Sequence, residues 1–227
     1  MRDNGSYGRH AGRVKGMRGR ISGPGLVGAV LAALLALSPT AAPAMQLNEA
    51  LQQLYASVSI NPPTAERLTV CYGFVCRRRY IFDFEPADRK RLTEILKAGN
   101  ASAEAERKAV QQAVVWFDRR LGPVLGTDKR IAYADFRYFD DKHNYDCYDT
   151  TRNTTSLLLV LQEWGLLRHH TVADPRYRGN FLVLQTPHNT AVLNERASGR
   201  NWVVDMWTKG YGELPDVMTV EQWLTEN

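Results

Sequence analysis

Apolar positions along the chain recur first at helical and later at strand-like spacing. Leu47, Leu51, Leu54, Tyr55 and Val58 share one face of a short helix, which Asn61-Pro62-Pro63 stops. Leu68 to Cys71 and the alternating Tyr80-Ile81-Phe82-Asp83-Phe84 predict a small hairpin over residues 68 to 84. Pro86 opens a helix through about Lys97, with Gly99-Asn100 as its stop. Ser102 to Leu121 is helical again: Val110, Ala113, Val114 and Phe117 form the inner stripe, Trp116 lies beside it, and Glu104 and Glu106 sit near the positive end. Gly122-Pro123 is expected to terminate that helix. A central helix follows Asp146 as cap, with Leu157, Leu158, Val160, Leu161 and Trp164 on a near-helical repeat up to Gly165. Residues 168 to 180 read as a polar connector, whose adjacent His169 and His170 point in different directions and are assigned to the surface. Phe181 to Gln185, His188 to Leu193 and Asn201 to Trp207 read as strands, the last two joined by a turn over 194 to 200. A terminal loop and a short helix after Thr219, docking Trp223, close the chain. These elements predict an α+β domain over residues 45 to 227, with helices packed on an antiparallel sheet.

Residues 1 to 44 follow a different pattern. Six basic side chains and one acid precede residue 21, an apolar run spans Leu26 to Leu37, and Ala42-Pro43-Ala44 follows. A basic head, a short apolar middle and an A-x-A site describe a secretory signal cut after Ala44. The alternative is an uncleaved anchor, against which twelve apolar residues are too few to span a bilayer comfortably. No cysteine stands at the cleavage point to carry lipid. The expectation is a periplasmic or secreted protein with no stable membrane insertion after cleavage.

Charge changes with the leader. Of 29 basic and 24 acidic residues, six and one lie in it, which leaves 23 of each in the remainder. The basic balance belongs to the leader, so the domain offers no electrostatic case for nucleic acid. Arg77-Arg78-Arg79 is the one tight cluster, and such runs are usually solvated.

Three cysteines remain: Cys71, Cys76 and Cys147. In an oxidising compartment Cys71-Tyr-Gly-Phe-Val-Cys76 is a candidate local disulfide, its glycine allowing a sharp turn; a metal pair is the alternative, without a second pair to complete a zinc site. Cys147 is then left over, and a leftover thiol in an exported protein is reactive, paired between molecules or buried. At the start of a helix its thiolate is favoured by unpaired N–H groups, and a lowered pKa is expected. Residues 126 to 146, rich in aromatic and acidic side chains, run directly into it and read either as one wall of a cleft or as a loop packed on its own aromatics.

Thiol chemistry needs a base and a group to orient that base. If the 194–200 turn joins strands whose last facing pair is Leu193 and Asn201, His188 and Asp205 fall within one residue of direct opposition. A bulge or a boundary shift would close that gap. Asp205 lies in Trp202-Val203-Val204-Asp205-Met206-Trp207, where a carboxylate without a partner is costly. Taken singly, each of the three residues also has a bland reading: a small buried hydrophobe, a strand histidine, a strand-end acid.

With those residues in view, the chain resembles the bacterial transglutaminase-like cysteine peptidases, a branch of the papain-like superfamily, over roughly residues 130 to 210. The resemblance rests on Asp146-Cys147-Tyr148-Asp149 as a D-C-x-D element, His188-Asn189-Thr190-Ala191-Val192-Leu193 as a histidine opening an apolar strand, and Val203-Val204-Asp205 as the aspartate strand. It implies a papain-like, transglutaminase-like α+β fold whose nucleophile-bearing helix packs on the sheet. It further implies a Cys-His-Asp triad, with Cys147 as nucleophile, His188 as base and then acid, and Asp205 holding the imidazole. A protein or peptide substrate follows, and calcium bound by Asp146 and Asp149 is implied as an optional cofactor. Tyr145 and Pro187 depart from the small residues usual at those positions in the family. The Cys147 N–H and a second donor, for which Asn144 is nearest, would hold the oxyanion. Hydrolysis of a peptide or isopeptide bond, cross-linking by transamidation and a catalytically silent binding module all remain open.

Overall fold

The computed structural model of the protein describes residues 45–180, 182 and 186–226. The expected leader and, except for Leu182, the expected strand Phe181 to Gln185 therefore lie outside the described residues.

Each N-terminal helix begins where a side chain takes up an orphan N–H group. Asn48 accepts from the Leu51 N–H at 2.9 Å and opens α1 (Glu49–Ala56). Strands β1 (Arg67–Tyr72) and β2 (Arg78–Asp83) form a two-stranded antiparallel hairpin. Glu85 and Asp88 make a reciprocal capping box around Pro86 at the start of α2 (Pro86–Lys97). Ser102 caps α3, which runs over Ala103–Leu125.

The expected stop at Gly122-Pro123 is overturned, because α3 continues through both residues to a left-handed Gly126. Proline has no N–H to give the carbonyl four residues back, here that of Arg119. The Tyr211 hydroxyl donates to that carbonyl at 3.3 Å instead. Gly122 makes the approach possible, since a Cβ there would lie 2.3 Å from the Tyr211 ring. A contact from a distant loop thus replaces the missing helical hydrogen bond.

Beyond a single 3-10 turn at Phe136–Tyr138 comes α4 (Cys147–Glu163), buried on nearly every side. Its second half, Leu157, Leu158, Val160 and Leu161, packs among the α3 stripe, Leu68 and Val70 of β1, Phe82 of β2 and the strands behind it. Its first half is polar and equally buried, and Asn153, Arg152 and Ser156 find partners, whereas the Thr151 and Thr155 hydroxyls have none among the described residues. Asn153 pairs with both the N–H and the C=O of Cys71, at 2.7 Å each, and so extends the β1 edge as a backbone would. Arg152 donates to the Leu54 carbonyl and the Ser57 hydroxyl, and Ser156 meets the Tyr55 hydroxyl at 3.1 Å.

The main sheet is an antiparallel meander of β3 (His170–Arg178), β4 (His188–Glu195), β5 (Asn201–Asp205) and β6 (Asp216–Thr219), in that order. The molecule is therefore α+β, with α4 between the hairpin and this sheet. Two strands were hidden by polarity. β3 occupies the expected connector, a sheet edge bordered by α1, and β6 occupies part of the expected terminal loop. The final helix, α5 (Val220–Thr225), buries Trp223 with Val192, Val203 and Val220 against the far face of the sheet.

His170 also departs from its surface assignment. It is fully buried, with Nδ1 at 2.8 Å from Glu106 and Nε2 at 3.2 Å from Arg107. A guanidinium only donates, so Nε2 accepts and Nδ1 carries the proton to Glu106. Glu106, expected to serve as a helix-end charge, also collects the N–H groups of Arg168, His169 and His170 and anchors the start of β3. Among the described residues, no helix is long and apolar enough to cross a membrane.

Candidate active site

The site is assembled from the first turn of α4, the disulfide turn between β1 and β2, and the near end of the β4–β5 pair. Asp146 is the cap of α4, accepting from the Asp149 N–H at 2.7 Å through one oxygen. Its other oxygen accepts from the Val75 N–H at 2.8 Å. Asp149 accepts from the Phe74 N–H at 2.9 Å and the Cys76 N–H at 2.7 Å. Cys71 and Cys76 are disulfide-bonded, with Cα atoms 4.5 Å apart. The turn they close carries positive φ at Gly73, Phe74, Val75 and Cys76, a run that aims successive N–H groups inward. The two acids flanking Cys147 thus grip this turn.

That geometry bears on the calcium expectation. Each oxygen of Asp146 and Asp149 already accepts one backbone N–H. Among the described residues, no group of three or more His, Cys, Asp or Glu side chains converges on a metal position. In this structure the two carboxylates serve the disulfide turn and the start of α4. Burial raises the Asp149 carboxyl well above its ordinary value, and the neighbouring Asp146 charge adds to this, against the N–H donors of Cys76 and Phe74.

Cys147 occupies the first position of α4 and is 7% exposed. Its sulfur lies 4.0 Å from the Pro187 carbonyl oxygen and within reach of the Asn189 N–H, so it rests against the backbone on either side of His188. The expected lowering of its pKa is overturned. Burial pushes the thiol up to about 12, and the charges of Asp146 and Asp205 act in the same direction against the Asn189 N–H. In this pocket desolvation outweighs the helix terminus.

His188 opens β4 and is 2% exposed. Its Nε2 lies 2.5 Å from Asp205 Oδ2. The strand register pairs Ala191 with Val204 and Asn194 with Asn201, one residue away from the expected pairing. His188 and Asp205 are therefore diagonal neighbours on one face of the sheet, and no bulge is needed to bring them together. Asp205, 1% exposed, also receives the Trp223 indole N–H at 2.9 Å and the Trp207 backbone N–H at 3.2 Å. Three donors satisfy a carboxylate that would otherwise be costly to bury. Because a carboxylate only accepts, Nε2 carries the proton in this contact. The other ring nitrogen, Nδ1, is buried without a hydrogen-bond partner among the described residues.

Two residues absent from the expected site hold the imidazole. Trp207 and Trp223 lie on it at ring-centroid distances of 4.5 and 5.4 Å. Trp207, two residues past Asp205, was within reach of a sequence argument, whereas Trp223 arrives through the unforeseen β6. Asn144 is brought elsewhere: its side-chain oxygen accepts from the Ile131 N–H, its amide nitrogen donates to Asp141, and its carbonyl accepts from Gly73. It braces the loop and does not line the cavity before Cys147. Ala134 to Arg137 do line that cavity, together with the disulfide turn. Comparison of the chain with protein-family models, curated proteins and solved structures gives no match.

Proposed function

We propose that this chain is an exported thiol hydrolase that cleaves a peptide or isopeptide amide through an acyl-enzyme on a transglutaminase-like, papain-like arrangement. The observation that carries the reading is the His188 ring. It is fixed by Asp205 through Nε2, while its Nδ1 has no hydrogen-bond partner among the described residues and lies on the strand segment against which the Cys147 sulfur rests. A buried basic nitrogen without a hydrogen bond is costly to maintain, and proton transfer gives it a use.

The chemistry follows from the protonation states. Cys147 rests as a neutral thiol, so the sulfur proton passes to His188 Nδ1 as sulfur attacks the amide carbon. Asp205 stabilises the imidazolium. The Cys147 N–H, in the first turn of α4, donates to the oxyanion, a contact typically worth ~3 kcal/mol. His188 then protonates the leaving amine as the C–N bond breaks, which leaves a thioester. Water, losing a proton to His188, attacks that thioester and releases the acid, and the proton returns to sulfur.

One observation favours a second reading, a binding module without chemistry: the thiol is buried and its pKa is raised. Alkylation by iodoacetamide at pH 7 separates the two. The hydrolase reading expects Cys147 to be labelled and His188→Gln to slow labelling at least about tenfold. Labelling of His188→Gln as fast as the parent would sink the reading.

A further inference from the structure

In front of Cys147 lies a cavity of about 320 Å³. Its walls are Phe74 and Val75 of the disulfide turn, Phe136, Tyr148, Pro187 and Trp207. The charges at its edge are already paired. Asp135 and Arg137 bind each other at 2.9 Å, and both oxygens of Asp146 accept backbone N–H groups. The Trp207 indole N–H donates to the Ala134 carbonyl at 2.9 Å, so the ring offers carbon to the cavity. At the mouth, Phe136 is 71% exposed and Val75 is 45% exposed. A second cavity of about 390 Å³ shares Trp207 and Thr186 with the first and is lined by His188, Thr208, Arg178 and Asp216.

We propose that the apolar cavity is the acyl-side specificity pocket of Cys147 and takes a bulky apolar side chain, aromatic or leucine-like, from the peptide substrate. This rests on the hydrolase reading. The side of the scissile bond follows from the proton. His188 must reach the leaving nitrogen, so the leaving half of the substrate lies towards the cavity that His188 lines, and the acyl half lies towards the cavity that Cys147 lines. The size and polarity follow from the walls. An alanine side chain would leave most of the volume as water against aromatic surface. A charged side chain would meet, among the described lining residues, only charges that are already paired, and would enter at a desolvation cost. An aromatic or leucine side chain displaces that water and covers Phe136, with ring-on-ring contacts available at Trp207. Discrimination between side chains in such pockets is roughly ten- to two-hundred-fold per missing methylene at most, so selection against alanine of at least about tenfold is expected.

The test uses the protein's residues 45–227 and a series of acyl-peptidyl chloromethyl ketones. Phe, Leu, Ala, Asp or Lys is placed at either of the two positions before the ketone. The Cys147 sulfur forms a thioether as chloride leaves, and intact mass follows the rate. Phe or Leu at one of the two positions is expected to react at least about ten times faster than Ala, with Asp and Lys slowest. In Phe136→Ala the Phe-to-Ala rate ratio is expected to fall several-fold. Equal rates across the series, or a preference for Ala or a charged residue, overturn the pocket while leaving the thiol chemistry standing. Absence of any Cys147 adduct, with iodoacetamide also inert, overturns the hydrolase reading and the pocket with it.

Discussion

A cysteine in the first turn of a helix meets two opposed influences. Unpaired N–H groups favour the thiolate, and removal from water favours the thiol. At Cys147 the second prevails, and the sign of its pH dependence follows. The folded state holds the proton up to about 12, while the ordinary value is 9.0. The stabilisation from the bound proton is therefore complete below pH 9 and is lost as pH rises towards 12. Burial also raises the buried phenols Tyr55 and Tyr145, so the Cys147 part is read as a difference. Between pH 8 and 10 the parent is expected to lose on the order of 1 kcal/mol more than Cys147→Ala, a change of roughly 2–4 °C in the difference between their Tm values. A pH-independent difference would show that the thiol is not held against solvent. The contact between His188 and Asp205 was legible, because antiparallel strands joined by a short turn constrain which residues meet and a buried aspartate demands a donor. The direction of the thiol's shift was not, because burial of residue 147 depends on strands some forty positions away.

At the scale of elements, local signals held where nothing distant competed with them. α2 starts at Pro86 and ends before Gly99 as its sequence suggests, with caps made within the segment. α3 overran its Gly-Pro signal because Tyr211, from the loop before β6, supplies the donor that Pro123 removes. Polar β3 and short β6 escaped notice because strand reading relies on apolar alternation, which an edge strand packed by Glu106 and α1 does not need. Tyr211→Phe is expected to cost about 1 kcal/mol, the net value of one hydrogen bond. Gly122→Ala is expected to cost more, about 1–3 kcal/mol, because its methyl meets the Tyr211 ring. Combining Gly122→Ala with Tyr211→Ala should recover most of the second loss; urea unfolding checks all three. Additive losses in the double variant would disconnect the loop from the helix. A second test concerns the start of α4. Asp149→Ala leaves the buried Phe74 and Cys76 N–H groups without acceptors, and a loss of roughly 2–5 kcal/mol is expected. A loss under about 0.5 kcal/mol would mean that water satisfies the turn in its place.

Across the whole molecule, the disulfide turn adds a polar grip to a hairpin that already shares the core with α4. The β1–β2 hairpin reaches α4 through Asn153 and the core, and Asp146 and Asp149 extend that contact to the cavity wall beside Cys147. D-C-x-D is therefore read in this chain as a protein-to-protein clamp, with N–H groups where the family resemblance implied calcium. The two possibilities separate cleanly. Closing a turn of this length restricts the unfolded chain by about 2 kcal/mol, so Cys71→Ser with Cys76→Ser is expected to lower Tm by roughly 4–8 °C. The released turn also loses the conformation that aims Phe74, Val75 and Cys76 N–H groups at the acids, so Cys147 alkylation should change in the same variant. A chelator should alter neither Tm nor the alkylation rate of the parent protein. If chelation lowers Tm and added calcium restores it, the carboxylates hold a metal and the clamp is wrong. If instead only the cysteine variant responds, the wall of the cleft is maintained by a covalent bond that an oxidising compartment sustains, and the position of Cys147 depends on it.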